Sequence, residues 1–132
     1  MYKKTLIKNS DKVYIAGHNG MVGSAIKRIF IANDFKNILT TSRKELDLLD
    51  SKNVFNWFNE NKPDVVILAA AKVGGILAND NFPVNFLLEN IKIQNNVIEA
   101  AWQTGTRRLL FLGSSCIYPK FTEQPIKEDS LN

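Results

Sequence analysis

One cysteine and one histidine stand in 132 residues. A single cysteine excludes an internal disulfide framework, and with it the small stapled folds of secreted proteins, so a reducing cytoplasm is the natural setting. A single histidine, His18, leaves no Ser–His–Asp arrangement to argue and no cluster of metal ligands. No apolar run approaches membrane-spanning length, and Met1-Tyr2-Lys3-Lys4 leads only into Thr5-Leu6-Ile7, too short for a signal-peptide core. The net charge of +4 is scattered, without a block of five or six like charges, so no nucleic-acid partner is expected. Internal repeats and low-complexity segments are also missing. What remains is 45% hydrophobic and 23% charged, the balance of a soluble domain able to bury a core. The length fits one domain or part of a larger protein.

The strongest local signal is Val13-Tyr14-Ile15-Ala16-Gly17-His18-Asn19-Gly20-Met21-Val22-Gly23. An apolar, β-branched run ends in three glycines spaced three apart, and a helical pattern follows. A helix start leaves backbone N–H groups without partners and carries partial positive charge, so a phosphate is stabilised there. Gly17 permits a sharp turn, Gly20 a close approach of backbone to a pyrophosphate, and Gly23 tight packing of helix on strand. A glycine triplet alone is weak; in a strand-to-helix setting it reads as a dinucleotide loop.

Residues 1–11 read as a polar lead-in and 12–132 as the domain. A first strand is expected near 12–16 and a helix from Met21 to Ala32 with Val22, Ile26, Ile29 and Phe30 on its apolar stripe. A short strand follows at Asn37–Thr41, then a charged loop from Ser42. Asp50 or Ser51 caps a helix that carries Val54, Phe55 and Phe58 and stops before Pro63. Val65 to Ala70 is almost uniformly apolar, as for a parallel strand buried on both faces. The longest helical pattern runs from Pro83 to Thr104, with Phe86, Leu87, Asn90, Ile91, Val97, Ile98 and Ala101 near one face. Gly105 stops it, and a fourth strand spans Arg108–Leu112. The alternation, four strands each followed by a helix, predicts an α/β Rossmann-type fold with a doubly wound parallel sheet of about four units. Ligands of such sheets bind beyond the carboxyl ends of the strands, so Gly17–Gly23, Thr41–Asp50, Ala69–Gly75 and Gly113–Tyr118 are expected to line one cleft.

Within that cleft the end of the second strand separates two cofactors. A carboxylate there would bind the ribose hydroxyl of NAD, whereas an arginine accommodates the 2′-phosphate of NADP. The window is Thr40-Thr41-Ser42-Arg43, without an acid, so Arg43 favours NADP(H) over a merely solvated loop arginine. Asp50 is either a helix cap or an adenine contact, and Asp47 a solvated loop residue. Lys72 points to the cleft mouth or to water. His18 packs or meets solvent more readily than it acts as a base. Ser114, just past a strand end, suits hydrogen bonding to a substrate carbonyl. Cys116 is a buried inert thiol on residue type alone, or an acid–base if polarised.

Four runs together carry a family resemblance. They are Gly17-His18-Asn19-Gly20-Met21-Val22-Gly23-Ser24-Ala25-Ile26, Glu45-Leu46-Asp47-Leu48-Leu49-Asp50, Ala69-Ala70-Ala71-Lys72-Val73-Gly74-Gly75-Ile76, and Leu110-Phe111-Leu112-Gly113-Ser114-Ser115-Cys116-Ile117-Tyr118-Pro119-Lys120. The chain after residue 12 resembles the GDP-L-fucose synthase family of the extended short-chain dehydrogenase/reductase superfamily. The resemblance implies epimerisation of GDP-4-keto-6-deoxy-D-mannose at C3 and C5, then NADPH reduction of its C4 ketone. It implies cofactor contacts from Gly17, His18, Asn19, Gly20, Met21, Val22, Gly23, Arg43, Asp50, Ala69, Ala70, Ala71 and Leu112. It also implies that Ser114 is the serine of the Ser–Tyr–Lys triad and Cys116 the epimerisation acid–base, that the substrate is a GDP-sugar, and that the intact enzyme is a homodimer.

Two departures qualify this. Asn19 stands where some members carry arginine, removing one charge from the cofactor loop. No Tyr-x-x-x-Lys follows Ser114, since Tyr118 precedes Pro119 and Lys120 at the wrong spacing. The expectation is therefore the N-terminal part of a longer enzyme, lacking the substrate domain and inactive alone. The alternatives are another NAD(P)-dependent nucleotide-sugar epimerase or dehydratase, or a non-catalytic cofactor-binding or interaction remnant.

Overall fold

The computed structural model describes residues 7–74, 77 and 81–131; residues 1–6 of the lead-in, Gly75 and Ile76 of the third motif, and Asn132 lie outside them. Four strands, β1 (Val13–Ala16), β2 (Ile38–Leu39), β3 (Val65–Leu68) and β4 (Arg108–Phe111), form one parallel sheet in the order β2-β1-β3-β4. Helices α1 (Met21–Ala32), α2 (Ser51–Asn61) and α3 (Pro83–Gln103) connect them. The order reverses between β1 and β3, which makes the end of β1 the switch point of the sheet.

Alternation along β1 explains the layers. Tyr14 and Ala16 face a cluster with Leu46, Val54, Phe58, Val66, Leu68, Val97, Ala100 and Ala101, where α2 and α3 pack against each other and the sheet. Val13 and Ile15 face the other side with Val65 and Ile67, covered by Ile26 and Phe30 of α1 and by Phe35. Both β1 and β3 are buried on both faces, as their near-continuous apolar sequences require. Fully burying one such side chain stabilises by about 1.5–3 kcal/mol.

Local chemistry sets the boundaries. The Asp50 side chain accepts from Asn53 N–H at 3.0 Å and caps α2. Lys62 ends α2 in the left-handed region at φ 44°, its N–H bonded to Phe58 O at 2.8 Å, before Pro63. Residues 7–11 are fastened to the domain: Ile7 packs on the α1-side cluster, and the buried Asp11 carboxylate pairs with Arg107 at 2.7 Å. The Lys8 N–H and then Arg107 hold the Asp11 carboxyl below its ordinary value, against the opposing effect of burial.

Three expectations fail. Ile29 and Val22 of the α1 stripe are exposed, because α1 lies over a narrow flank of the sheet and only Ile26 and Phe30 reach it. Leu87, Ile91 and Ile98 of α3 are also exposed, since only its second half meets the sheet through Val97, Ala100 and Ala101. No fourth helix follows β4 among the described residues; only short 3-10 turns at Ser115–Ile117 and Glu128–Leu131 do.

Candidate functional site

The sheet places three of its four post-strand segments around a single cleft. Gly17 leaves β1 at φ 86°, and a Cβ on it would stand 2.7 Å from the backbone of Ala69 and Ala70. The two strand ends therefore meet with no room for a side chain between them. Gly23 sits beneath this turn, where a Cβ would overlap the Gly17 carbonyl, so α1 starts directly against it. Gly20 is the N-cap of α1, and no side chain caps the helix. Its first turn borders the cleft through Met21 and Val22, and no acidic residue occupies that turn.

The cleft has a volume of 530 Å³ and is bordered by Gly17 to Val22, by Thr41, Ser42, Arg43 and Asp47 after β2, and by Ala69 to Val73 after β3. That is within the size range of small-molecule and cofactor sites. Its floor is Tyr14, whose hydroxyl shares a 2.8 Å hydrogen bond with the Thr41 hydroxyl and whose ring packs 4.4 Å from that of Trp57. Burial pushes the Tyr14 hydroxyl above its ordinary pKa, and the Thr41 bond pulls it part of the way back. The loop after β2 is braced by a reciprocal pair: Ser42 N–H donates to Glu45 Oε2 at 2.6 Å, and Glu45 N–H donates to Ser42 Oγ at 3.3 Å. The Ser42 N–H, and then the Ser42 side chain, hold the Glu45 carboxyl below its usual range. Arg43 reaches into solvent at the rim, with Asp47 3.8 Å from its Nε.

The opposite wall is tied to α3. Lys72 N–H donates to Asn90 Oδ1 at 2.7 Å, and Asn90 Nδ2 returns a bond to Lys72 O at 2.9 Å. Lys72 Nζ pairs with Glu89 at 2.6 Å and lies 5.3 Å from the Phe86 ring centroid. Lys72 is thus fixed on the wall rather than extended into water.

This geometry, with backbone donors at a glycine turn, a cation at the end of β2 and small residues after β3, is that of a dinucleotide cleft. Residues 13–132 match the model of the NAD dependent epimerase/dehydratase family. The chain belongs to that family. Within it, the chain is 52% identical over 122 residues to GDP-L-fucose synthase 1 of Arabidopsis thaliana, covering 92% of this chain and 38% of that protein. Among solved structures, a GDP-mannoheptose C4 reductase from Campylobacter jejuni with NADP bound is 37% identical with a TM-score of 0.88, covering 95% of this chain and 37% of that one. A GDP-L-fucose synthetase from Naegleria fowleri bound to NADP is 28% identical with a TM-score of 0.80, covering 95% of this chain and 37% of that one. The chain therefore spans little more than a third of the length of these family members.

Of the residues singled out from sequence, Gly17, His18, Asn19, Gly20, Met21, Val22, Arg43, Ala69, Ala70 and Ala71 come together on the cleft. Gly23 supports the turn from below. Asp50 is engaged as the α2 cap, with both carboxylate oxygens on Asn53, and is not on the cleft wall. Leu112 extends β4 through its N–H to Leu68 O at 3.2 Å. Ser114 and Cys116 lie beyond β4 and do not border the cleft, contrary to the expectation that all four post-strand segments would. β4 is the sheet edge, one strand further from the switch point, and the chain turns there into an exposed 3-10 turn. Ser114 Oγ accepts Cys116 N–H at 3.1 Å, and the Cys116 thiol is free and exposed rather than buried. Sequence reasoning placed Thr41 on the cleft but missed Tyr14, Glu89 and Asn90 as parts of the site. Only a polar residue inside the apolar β1 run hinted at Tyr14.

Proposed function

We propose that this chain is the NADP(H)-binding portion of an epimerase/reductase that converts GDP-4-keto-6-deoxy-D-mannose to GDP-L-fucose. The carrying observation is the cleft itself, with uncapped N–H groups of α1 on one side, Arg43 at the end of β2 and the alanine run after β3. The cleft fits a cofactor in size, at 530 Å³ with small residues Gly17, Gly20 and Ala69 to Ala71 in its lining. Gly17 to Val22 would hold its pyrophosphate, Arg43 its 2′-phosphate, and Ala69 to Ala71 would lie along its nicotinamide half. When bound, it supplies hydride to the ketone carbon.

The chain's own chemistry lies past β4. Ser114 would hydrogen-bond a ketone oxygen, which acidifies protons on the neighbouring carbons. Cys116 would take a proton from one face of the carbon, and a second acid, from the machinery outside this chain, would return one to the opposite face. The remaining machinery of such an enzyme belongs to sequence outside this chain, so the chain alone is expected to bind NADPH without turnover. The reading also carries a cytoplasmic location, a GDP-sugar substrate and a homodimer of the whole enzyme.

Two measurements test it. Titration of the purified chain should give tighter binding of NADPH than NADH, and Arg43→Ala should weaken NADPH by about tenfold or more, the loss of a charged hydrogen bond, while sparing NADH. Tighter binding of NADH would remove the Arg43 argument. For the reaction, this chain would be fused to the remaining two-thirds of the Arabidopsis relative and given GDP-4-keto-6-deoxy-D-mannose with NADPH. GDP-L-fucose should form, and Cys116→Ser should suppress C3 and C5 proton exchange. A folded fusion that binds NADPH yet yields no exchange and no product would sink the assignment.

A further inference from the structure

We propose that Asp47 sets how sharply the adenosine end of the cleft distinguishes NADPH from NADH; the inference rests on the dinucleotide reading above. Three carboxylates lie in the loop between β2 and α2. Glu45 is committed to Ser42 N–H at 2.6 Å, and Asp50 gives both oxygens to Asn53. Asp47 differs from both. Its Oδ1 accepts Leu49 N–H at 3.1 Å, which fixes the side chain, and its Oδ2 is turned to Arg43 Nε at 3.8 Å. Asp47 and Arg43 both border the cleft.

At 3.8 Å the pair is an electrostatic contact too long for a hydrogen bond, so the guanidinium fork stays open to a ligand. The carboxylate nonetheless offsets part of the local positive charge. Asn19 adds none from the glycine turn, so Arg43 faces a 2′-phosphate with its charge partly offset by Asp47. A phosphate bound on Arg43 would lie within a few ångströms of a second anion, and like charges at that range repel even when partly solvated. A bare ribose 2′-hydroxyl experiences the opposite effect. It is a donor needing an acceptor, and Asp47 Oδ2 is the acceptor beside Arg43. One side chain thus penalises NADPH and favours NADH, narrowing a preference that Arg43 alone would make wide.

The test is Asp47→Asn in the full chain, with Asp47→Ser as a second variant. Both keep an oxygen for Leu49 N–H, so the turn survives while the charge goes. Dissociation constants for NADPH and NADH are measured by titration at two salt concentrations. The ratio of the NADH to the NADPH constant should rise about three- to tenfold in either variant, with NADPH binding becoming more salt-sensitive. An unchanged ratio in a variant that still binds both dinucleotides would overturn the role of Asp47 and leave the cofactor reading intact. Failure of the unaltered chain to bind either dinucleotide would overturn the cofactor reading and this inference together.

Discussion

β3 and β4 are neighbours in one parallel sheet, paired residue for residue from Val65↔Arg108 to Leu68↔Phe111. β3 is wholly apolar and β4 is apolar after Arg108, yet every β3 residue is buried and every β4 residue is exposed. β3 has a strand on each side, α1 residues over one face, and α2 and α3 over the other. β4 has one strand beside it, and Leu109, Leu110 and Phe111 remain 36%, 51% and 47% exposed. Hydrogen bonding to a neighbour makes a strand; a covering layer makes a core. The same line divides the candidate site residues, with the cleft built on the enclosed β1–β3 side and Ser114 and Cys116 carried on the open one.

The sharpest way to break this comparison is to truncate register partners. Leu68→Ala should cost about 3 kcal/mol in chemical unfolding, as for a fully buried leucine, while Phe111→Ala, a larger deletion, should cost under about 1.5 kcal/mol. Equal losses would mean that β4 is covered in solution. Next in size, Gly17→Ala should destabilise by about 2 kcal/mol and weaken NADPH binding, because the new Cβ strains a positive-φ turn and separates β1 from Ala69. Thermal melts with and without NADPH would show both effects.

The smallest effect sharpens the contrast from the β4 side. Asp11 ties down Arg107, just before β4, and its carboxyl is held below the ordinary value. Its contribution is therefore complete above about pH 4, the unfolded value, and is lost as pH falls through the lower folded value. Hydrogen exchange of Arg108–Phe111 should rise in that acid range ahead of exchange in Val13–Ala16. Asp11→Asn should abolish this pH step at a cost of about 1.5 kcal/mol. Simultaneous loosening of both strands at all pH values would show that the tie is not specific to β4.

Which features were legible in the sequence follows from how local their causes are. The glycine turn, the α2 cap at Asp50 and the stop at Lys62-Pro63 depend on neighbouring residues, and their elements lie within two residues of the expected limits. The place of Arg43 at the rim of the cleft and the uniformly apolar β3 were readable for the same reason. The Tyr14–Thr41 bond joins residues 27 apart and Lys72–Asn90 joins residues 18 apart, so neither leaves a periodic trace. Ile29 and Leu87 carry correct helical spacing but face no layer. Periodicity reports which face a helix could bury, not whether anything meets it.

Trp57 rests on Tyr14, the floor of the cleft, whereas Trp102 near the end of α3 is 78% exposed. The two indoles thus give the chain a pair of built-in optical reporters with separate addresses. A reduced nicotinamide absorbs where tryptophan emits, so filling the cleft should drain emission from Trp57 by energy transfer. Trp102 is the one that a soluble collisional quencher such as iodide reaches first. A dinucleotide entering this molecule announces itself in ultraviolet light, without any label.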